Sequence, residues 1–570
     1  MSRLTKKSPS VCTDEPLENP DLCQRFDCLR QLLRSCFGPS GRLKHIRNNI
    51  GGHVITTSTS SVLLSAASSS QPAVRLLTTS ILNHVSRFSD CGLFAAVLCL
   101  SLVDQAARRQ SGLRRDVAIR VNKHLLRMCT DYLQREDCGC KVRLDFCSSR
   151  SLITLARSVI SSKPGCVLTE LEAVHISKLA VQAFVLTVPC DSPGTVRLGR
   201  TVTVSVEGQP VLDSAVFSGL LLDVPDASSL GNVENLQSNP LQMVLLGVSL
   251  SGDLSDLGDG TLEVHRGADA DSQVLDQLLE LGKQVVKDEV KLFVCQKVIH
   301  PVLQQYLRQH GVVVVERVGA ALMEPLSQLT GAQPVATLQT TIPAKAYGQV
   351  KDLTIRQFGS KTMLHLHPAG EPVICTMILC HRNETMLNEL KVACQKTEHV
   401  LRLTLREPSA LLGGGCTETH LAAYIRNKSV HEAPEAAKVL GCSQSQYLLG
   451  LEAFCRSLES VAAALQHSGG SSLIDLTHGH HWTLHSDTAE IQREDALGSC
   501  GCGLVESGPH VKWTHLNTKY SDFSPAPLSK NAAVYPRVLD SFTAKINALQ
   551  VAVETANLVL DIRYIIQDVN

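Results

Sequence analysis

VLDQLLELGKQVVKDEVKLFVCQKVIHPVLQQYLRQHGVVVVE, residues 274–316, reads helix, strand, helix, strand. The apolar residues of VLDQLLELGKQVV and PVLQQYLRQ recur at helical spacing, whereas KLFVC and VVVVE are short β-rich runs. Such alternation predicts a parallel sheet covered by helices. Upstream, TVTVSV at 201–206 alternates with period two, as a half-buried strand does. Further out, both ends of the chain turn helical. Leu22, Phe26, Leu29 and Leu33 mark one helix face, which stops at Gly38-Pro39. LFAAVLCLSLV, 93–103, is apolar all round and predicts a buried helix. Val117, Val121, Leu125 and Met128 stripe another. Leu448–Leu465 predicts a long helix, and Ile546, Leu549, Val553, Ala556 and Leu560 stripe the last one. A helical shell from both chain ends around an α/β middle predicts an inserted domain, with the ends packed together. Residues 508–537, rich in Pro, Ser and Asn, read as a surface loop in which Trp513, Tyr520 and Phe523 are candidate contact anchors.

With 570 residues the chain is too long for one core, which predicts three or four domains. Lys+Arg and Asp+Glu both total 54, so no global field favours nucleic acid or an anionic membrane. Aromatic residues, at 4%, are too sparse for a base-stacking platform. No signal-peptide core or bilayer-length apolar run is present, which predicts a soluble, intracellular protein. The 21 cysteines are then mostly buried thiols. Cys138-Gly-Cys140 and Cys500-Gly-Cys502 lack the two-residue spacing of a common zinc knuckle and read as structural. His478, His480 and His481 read as an exposed turn in preference to a metal site.

Gly38-Pro39-Ser40-Gly41-Arg42-Leu43-Lys44 resembles the GPxGxxK phosphate loop of group II (cytosolic) chaperonin subunits. Its glycines let backbone N–H groups approach a phosphate, an expected following helix offers its N-terminus, and Lys44 adds charge. Gly413-Gly414-Gly415-Cys416-Thr417-Glu418 is similar to the family's GGGAxE. VCQKVIHPVLQQYLRQHGVVVVERV, 294–318, is similar to its apical segment, and Thr330-Gly331-Ala332 to its "tGA" turn. Val551–Ala556 and Asp561 resemble the family's final helix. LLGGGCTETHLAAYIR, 411–426, and LQVAVETANLVLD, 549–561, resemble a vertebrate chaperonin-like branch.

The resemblance implies a multidomain α+β fold. A helical equatorial domain spans 1–140 and 403–570, with a surface insertion at about 508–537. A small intermediate domain spans 141–214 and 366–402, and an inserted α/β apical domain spans 215–365. It also implies an ATP site with magnesium, held by Gly38, Pro39, Gly41, Lys44, Asp90, Gly413, Gly414 and Gly415, with Asp90 as the magnesium ligand.

This chain departs from the family where the chemistry is done. The magnesium motif GDGTT falls on Ser89-Asp90-Cys91-Gly92-Leu93, so Asp90 survives and both threonines are lost. TNDGAT falls on Thr56–Ser61, placing Ser58 where the family has Asp. ERSLHDAL falls on Lys391–Glu398, placing Lys396 where the family has the second Asp. A charged Lys cannot accept a proton from water, and losing a general base costs about 10²–10⁴ in rate. No catalytic residue is therefore assigned, and the chain is expected to be a non-enzyme. The implied role is assembly of the ciliary BBSome complex, whose subunits are clients, together with related chaperonin-like proteins and cytosolic chaperonin subunits. The implied location is the cytosol, at the centrosome or ciliary base, with the nucleus as a further compartment. The alternatives are an ATP-dependent chaperone with residual hydrolysis and an α/β enzyme with helical flanks. For the last, no nucleophile–base constellation is visible. DSPGTVRLGRT, 191–201, nearly spells a Walker A loop through Gly194, Gly199, Arg200 and Thr201. A period-two strand follows where a P-loop needs a helix.

Overall fold

The computed structural model describes residues 11–47, 54–67, 71–107, 112–189, 198–224, 233, 240–252, 270–336, 342–370, 374–467, 470–484, 498–509, 511–516 and 535–567. They form two compact units. One combines Met1–Val181 with Asn388–Asn570, and the other is the continuous insertion Gln182–Leu387. The residues expected to make an intermediate body, 141–214 and 366–402, are shared between the two. No helix among the described residues is long and apolar enough to cross a membrane.

The first unit is built around the helix Gly92–Ala107. Phe94 to Val103 are buried without a break, so this helix has no solvent face. Helices Pro20–Arg34, Pro72–Phe88, Gln444–Ala463 and Phe542–Asp561 pack on it. The first turns inward the stripe read from the sequence, Leu22, Phe26, Leu29 and Leu33, and the third buries Leu451, Phe454 and Leu458. Leu549, Val553, Ala556 and Leu560 do the same in the last. Two small three-stranded sheets accompany these helices. In one, Ser409–Leu412 lies between Lys141–Arg143 and Leu539–Ser541, antiparallel to both. In the other, Ser471–Asp475 lies between His481–Leu484 and Trp513–His515. Antiparallel pairing of Val11–Asp14 with Tyr564–Gln567 ties the two chain ends.

The loop expected at 508–537 is thus corrected in part. Trp513–His515 is a strand, and Trp513 packs edge-on against the buried Trp482 with ring centroids 5.5 Å apart. Trp513 therefore serves the interior of its own unit. Tyr520 and Phe523 lie outside the described residues.

In the second unit, Leu241–Leu246, Leu292–Cys295 and Val313–Val315 pair in parallel, as the alternation predicted. Tyr347–Val350 adds an antiparallel edge. Successive side chains enter different cores. Leu292, Val294, Val313 and Val315 join one cluster, while Phe293, Cys295 and Val314 join the other. Burial on both faces explains why these strands are apolar without alternation. Two three-stranded sheets complete the unit, Asp352–Phe358/Lys361–His367/Leu220–Asp223 and Arg200–Glu207/Ile374–His381/Ala215–Ser218.

Candidate functional site

Four backbone turns of the first unit meet around a cavity of about 490 Å³. The helix Pro20–Arg34 ends short of Gly38-Pro39, which line one side. Asp90, Cys91 and Gly92 line a second side, where the Gly92–Ala107 helix begins. The strand Ser409–Leu412 runs through Gly413 into Gly414 and Gly415, which line a third and open the helix Cys416–Leu440. The strand Leu539–Ser541 delivers Asp540, and the next helix delivers Lys545. Two helix N-termini thus face one space, each offering free backbone N–H groups and the positive end of a helix dipole. Gly415 supplies no side-chain cap to the second of these helices, although the Cys416 N–H is already taken by the Gly413 carbonyl at 3.2 Å.

The glycines are required by contact as well as by φ. Gly414 has φ +64°, and a Cβ there would fall 2.1 Å from the Gly501 carbonyl oxygen. Gly414→Ala is expected to cost at least about 2 kcal/mol, from left-handed strain plus the clash. Gly441→Ala has the same φ sign but open space around it, and should cost only the strain. Thermal melts of the two variants check this; equal losses would show that the close approach does not matter.

Not every residue of the expected cradle reaches the cavity. Gly41 packs on the Cys36 carbonyl and Gly413 on Val538. Lys44 starts the strand Lys44–Arg47, paired with Val54–Thr57, so a hairpin follows the loop where a helix was expected. The Lys44 ammonium lies 3.5 Å from the Arg42 carbonyl and does not line the cavity. The Walker-A-like residues Gly199, Arg200 and Thr201 belong to the other unit. Gly199 donates to the Thr187 carbonyl, Arg200 pairs with Glu324 at 2.9 Å, and Arg200–Glu207 is a strand. Gly194 lies outside the described residues.

The loop before the Gly92–Ala107 helix keeps a glycine-like backbone without glycine. Ser89 and Cys91 have φ of 60° and 59°, a region costly for residues with a side chain. His84 steadies it, with Nε2 2.9 Å from the Asp90 carbonyl and Nδ1 2.8 Å from Asn547 Oδ1. Ser89 Oγ lies 2.6 Å from His399 Nδ1.

Each carboxylate lining the cavity faces a cation. Asp90 Oδ1 lies 3.9 Å from Lys163 Nζ. Lys545 contacts Glu418 at 2.5 Å and Asp540 at 2.9 Å, with the Phe94 ring 4.0 Å beneath it. Glu170 pairs with Arg157. Burial opposes the charge on Lys545, and Asp540 and Glu418 more than restore it, so its pKa lies above the usual lysine range. Burial lowers the His481 pKa and holds that imidazole, 3.0 Å from the Gly414 carbonyl, neutral.

The two positions read as lost carboxylates come to the same region. Lys396 is buried, and its ammonium has no hydrogen-bond partner among the described residues. Burial pushes its pKa down to about 8, the Lys163 charge adds to this, and Asp90 and Glu389 resist it. Glu398, two residues on, pairs with Arg402 at 2.7 Å. Ser58 is buried against Glu389, a residue the sequence reading missed. The Glu389 carboxylate accepts from Thr57 Oγ1 at 2.6 Å, Ser58 N at 3.2 Å and Oγ at 3.3 Å, and Thr59 Oγ1 at 3.3 Å. Its oxygens are therefore engaged in holding the 57–59 turn.

The glycine turns, two helix N-termini and cavity volume fit a phosphate-bearing ligand. A divalent cation on Asp90 fits poorly, because Lys163 lies beside that carboxylate and the Lys396 ammonium is close enough for Asp90 to raise its pKa.

A split helical unit closed around such a cavity, with an α/β insertion, defines a chaperonin subunit. The TCP-1/cpn60 chaperonin family model matches residues 29–570, and the chain belongs to that family. Over the full length of both chains it is 46% identical to "Molecular chaperone MKKS" of Homo sapiens and 44% identical to that of Mus musculus. Thermosome subunit alpha of Sulfolobus acidocaldarius is a more distant relative, 24% identical over 79% of this chain and 80% of its own. The function is chaperonin-like, and the group II resemblance holds.

Proposed function

We propose that the chain is a chaperonin-like assembly factor that can hold a nucleotide but does not turn it over productively. The observation that carries this reading is the pairing of every cavity-lining carboxylate with Lys or Arg, next to Ser58 and Lys396 where an attacking water would need a base. With those groups engaged, the residues left can bind and orient phosphates through backbone N–H groups, but no carboxylate lining the cavity is free to take a proton from water. The equatorial, intermediate and apical division given above is the assignment that accompanies this reading. The partners are related chaperonin-like proteins and cytosolic chaperonin subunits, with BBSome subunits as clients, at the centrosome or ciliary base. That part rests on the family resemblance and on a cavity better suited to binding than to chemistry.

Steady-state phosphate release with Mg-ATP should fall at least about 10²-fold below an active chaperonin subunit. A comparable rate, abolished by Asp90→Ala, would overturn the proposal in favour of an ATP-driven chaperone. Affinity purification from cells tests the partners. A chain recovered alone would remove the assembly role.

A further inference from the structure

Behind the glycine wall of the cavity, four soft ligands from three separate segments converge. Cys416 is the first residue of the helix that follows Gly413–Gly415. His480 follows a tight turn, and Cys500 and Cys502 flank Gly501. Their Sγ and ring nitrogen atoms all lie within 4.8 Å of one another, and all four residues are buried. Cys500 Sγ is 3.4 Å from Cys502 Sγ, and Cys502 Sγ is 3.9 Å from His480 Nδ1. A tetrahedral zinc with Zn–S of about 2.3 Å places its sulfurs roughly 3.8 Å apart. The cluster therefore already has the dimensions of a zinc tetrahedron, and its sulfurs are too far apart for a disulfide.

The surroundings are those of a built site. The Val505 amide donates to Cys500 Sγ at 3.2 Å, as amides do to thiolate ligands. The turn carrying His480 is fixed by the fully buried Asp475. Its carboxylate accepts from the backbone N–H of Thr477, His478 and His480 at 3.0, 2.5 and 2.8 Å, and from Trp482 Nε1 at 3.3 Å. The comparison within the same unit is Cys138-Gly-Cys140. That pair is equally buried, with sulfurs 3.5 Å apart, but among the described residues no histidine or third cysteine joins it. The exposed turn expected for His480 and His481 is thereby corrected, since both are buried.

We propose that Cys416, His480, Cys500 and Cys502 form a closed structural zinc site. Three cysteines and one histidine fill a tetrahedral shell and leave no position for water or substrate, which excludes a catalytic role for the ion. Thiolate and imidazole ligands in this geometry select zinc over the hard cations that prefer oxygen. The site pins the cavity wall. Gly501 lies against Gly414 backbone to backbone, its N–H donates to the His481 carbonyl at 2.8 Å, and Cys500, Gly501 and Gly503 line the cavity.

The test is the metal content of the full chain, purified in reducing buffer and dialysed against a weak chelator. About one zinc per chain is expected, released stoichiometrically by an organomercurial. Cys500→Ala/Cys502→Ala should lose it, and Cys138→Ala/Cys140→Ala should keep it. Because the first variant can also fail to fold, Co²⁺ exchange into the wild-type chain is decisive. Intense visible d–d bands with thiolate charge transfer support an S₃N tetrahedron. A folded chain that purifies without zinc and gives no such bands with Co²⁺ overturns the proposal. Zinc that survives in a folded Cys500→Ala/Cys502→Ala chain also overturns it, by placing the ion elsewhere.

Discussion

Lys545→Met is expected to destabilise the split helical unit by about 3–5 kcal/mol at neutral pH. Lys545 is buried between Glu418 and Asp540. Removing it leaves two carboxylates together beside the Phe94 ring with no counter-charge. Burial already raises the Asp540 pKa while Lys545 holds it down, so losing the lysine raises it further. The sign follows from linkage. An acid whose folded pKa is raised destabilises the fold above that pKa, and the cost is relieved as pH falls toward the ordinary carboxylate range. The deficit should therefore be largest at neutral pH and shrink on acidification. Adding Glu418→Gln should recover part of it. Hydrogen-exchange protection of the Phe542–Asp561 amides reads the effect locally. Unchanged protection at pH 7 would show that the ion cluster carries no stability.

Lys396→Met should do the opposite. The lysine pKa falls from 10.5 to about 8 on folding, a shift equivalent to about 3 kcal/mol of cost for keeping the ammonium charged inside. Met keeps most of the stem and removes the charge. The variant should gain about 3 kcal/mol at pH 7. Between pH 8 and 10.5 the unfolded wild-type chain binds more protons than the folded one, so wild-type stability rises with pH there. The advantage of Lys396→Met should accordingly narrow across that window. Thermal melts of both chains from pH 7 to 10.5 measure it. A variant less stable than wild type at pH 7 would mean that the buried ammonium has a favourable partner.

Much of this architecture was legible because helix and strand periods are local. The stripes at Leu22–Leu33 and Leu549–Leu560, and the apolar run at 93–103, need no knowledge of partners. The glycine turns were legible too, since φ > 0 and close approach leave few other residue choices at Gly414 and Gly415. What escaped depends on contacts across the chain. Glu389 meets Thr57–Thr59 from more than 300 positions away, and nothing near it in sequence marks it as buried. Cys416 and His480 complete the Cys500–Cys502 pair from other segments, so spacing rules for zinc knuckles miss the group. Lys44 fits a phosphate motif in sequence, but the hairpin that follows turns it away. Trp513 lies in a polar stretch, and only its strand pairing reveals an interior role.

The pairing of Val11–Asp14 with Tyr564–Gln567 sets an order on the biosynthesis of this chain. The two strands are separated by about 550 residues. At ribosomal elongation of about 5–20 residues per second, roughly 30–110 s separate their emergence. For most of that interval the Gly92–Ala107 helix, apolar on every side, lacks the Phe542–Asp561 helix that covers it, and for much of it the Gln444–Ala463 helix as well. The insertion 182–387 is continuous and can close as soon as it is made. The amino-terminal helices must instead wait for Phe542–Asp561 to emerge before their apolar faces are covered, so the insertion can fold ahead of the unit that flanks it.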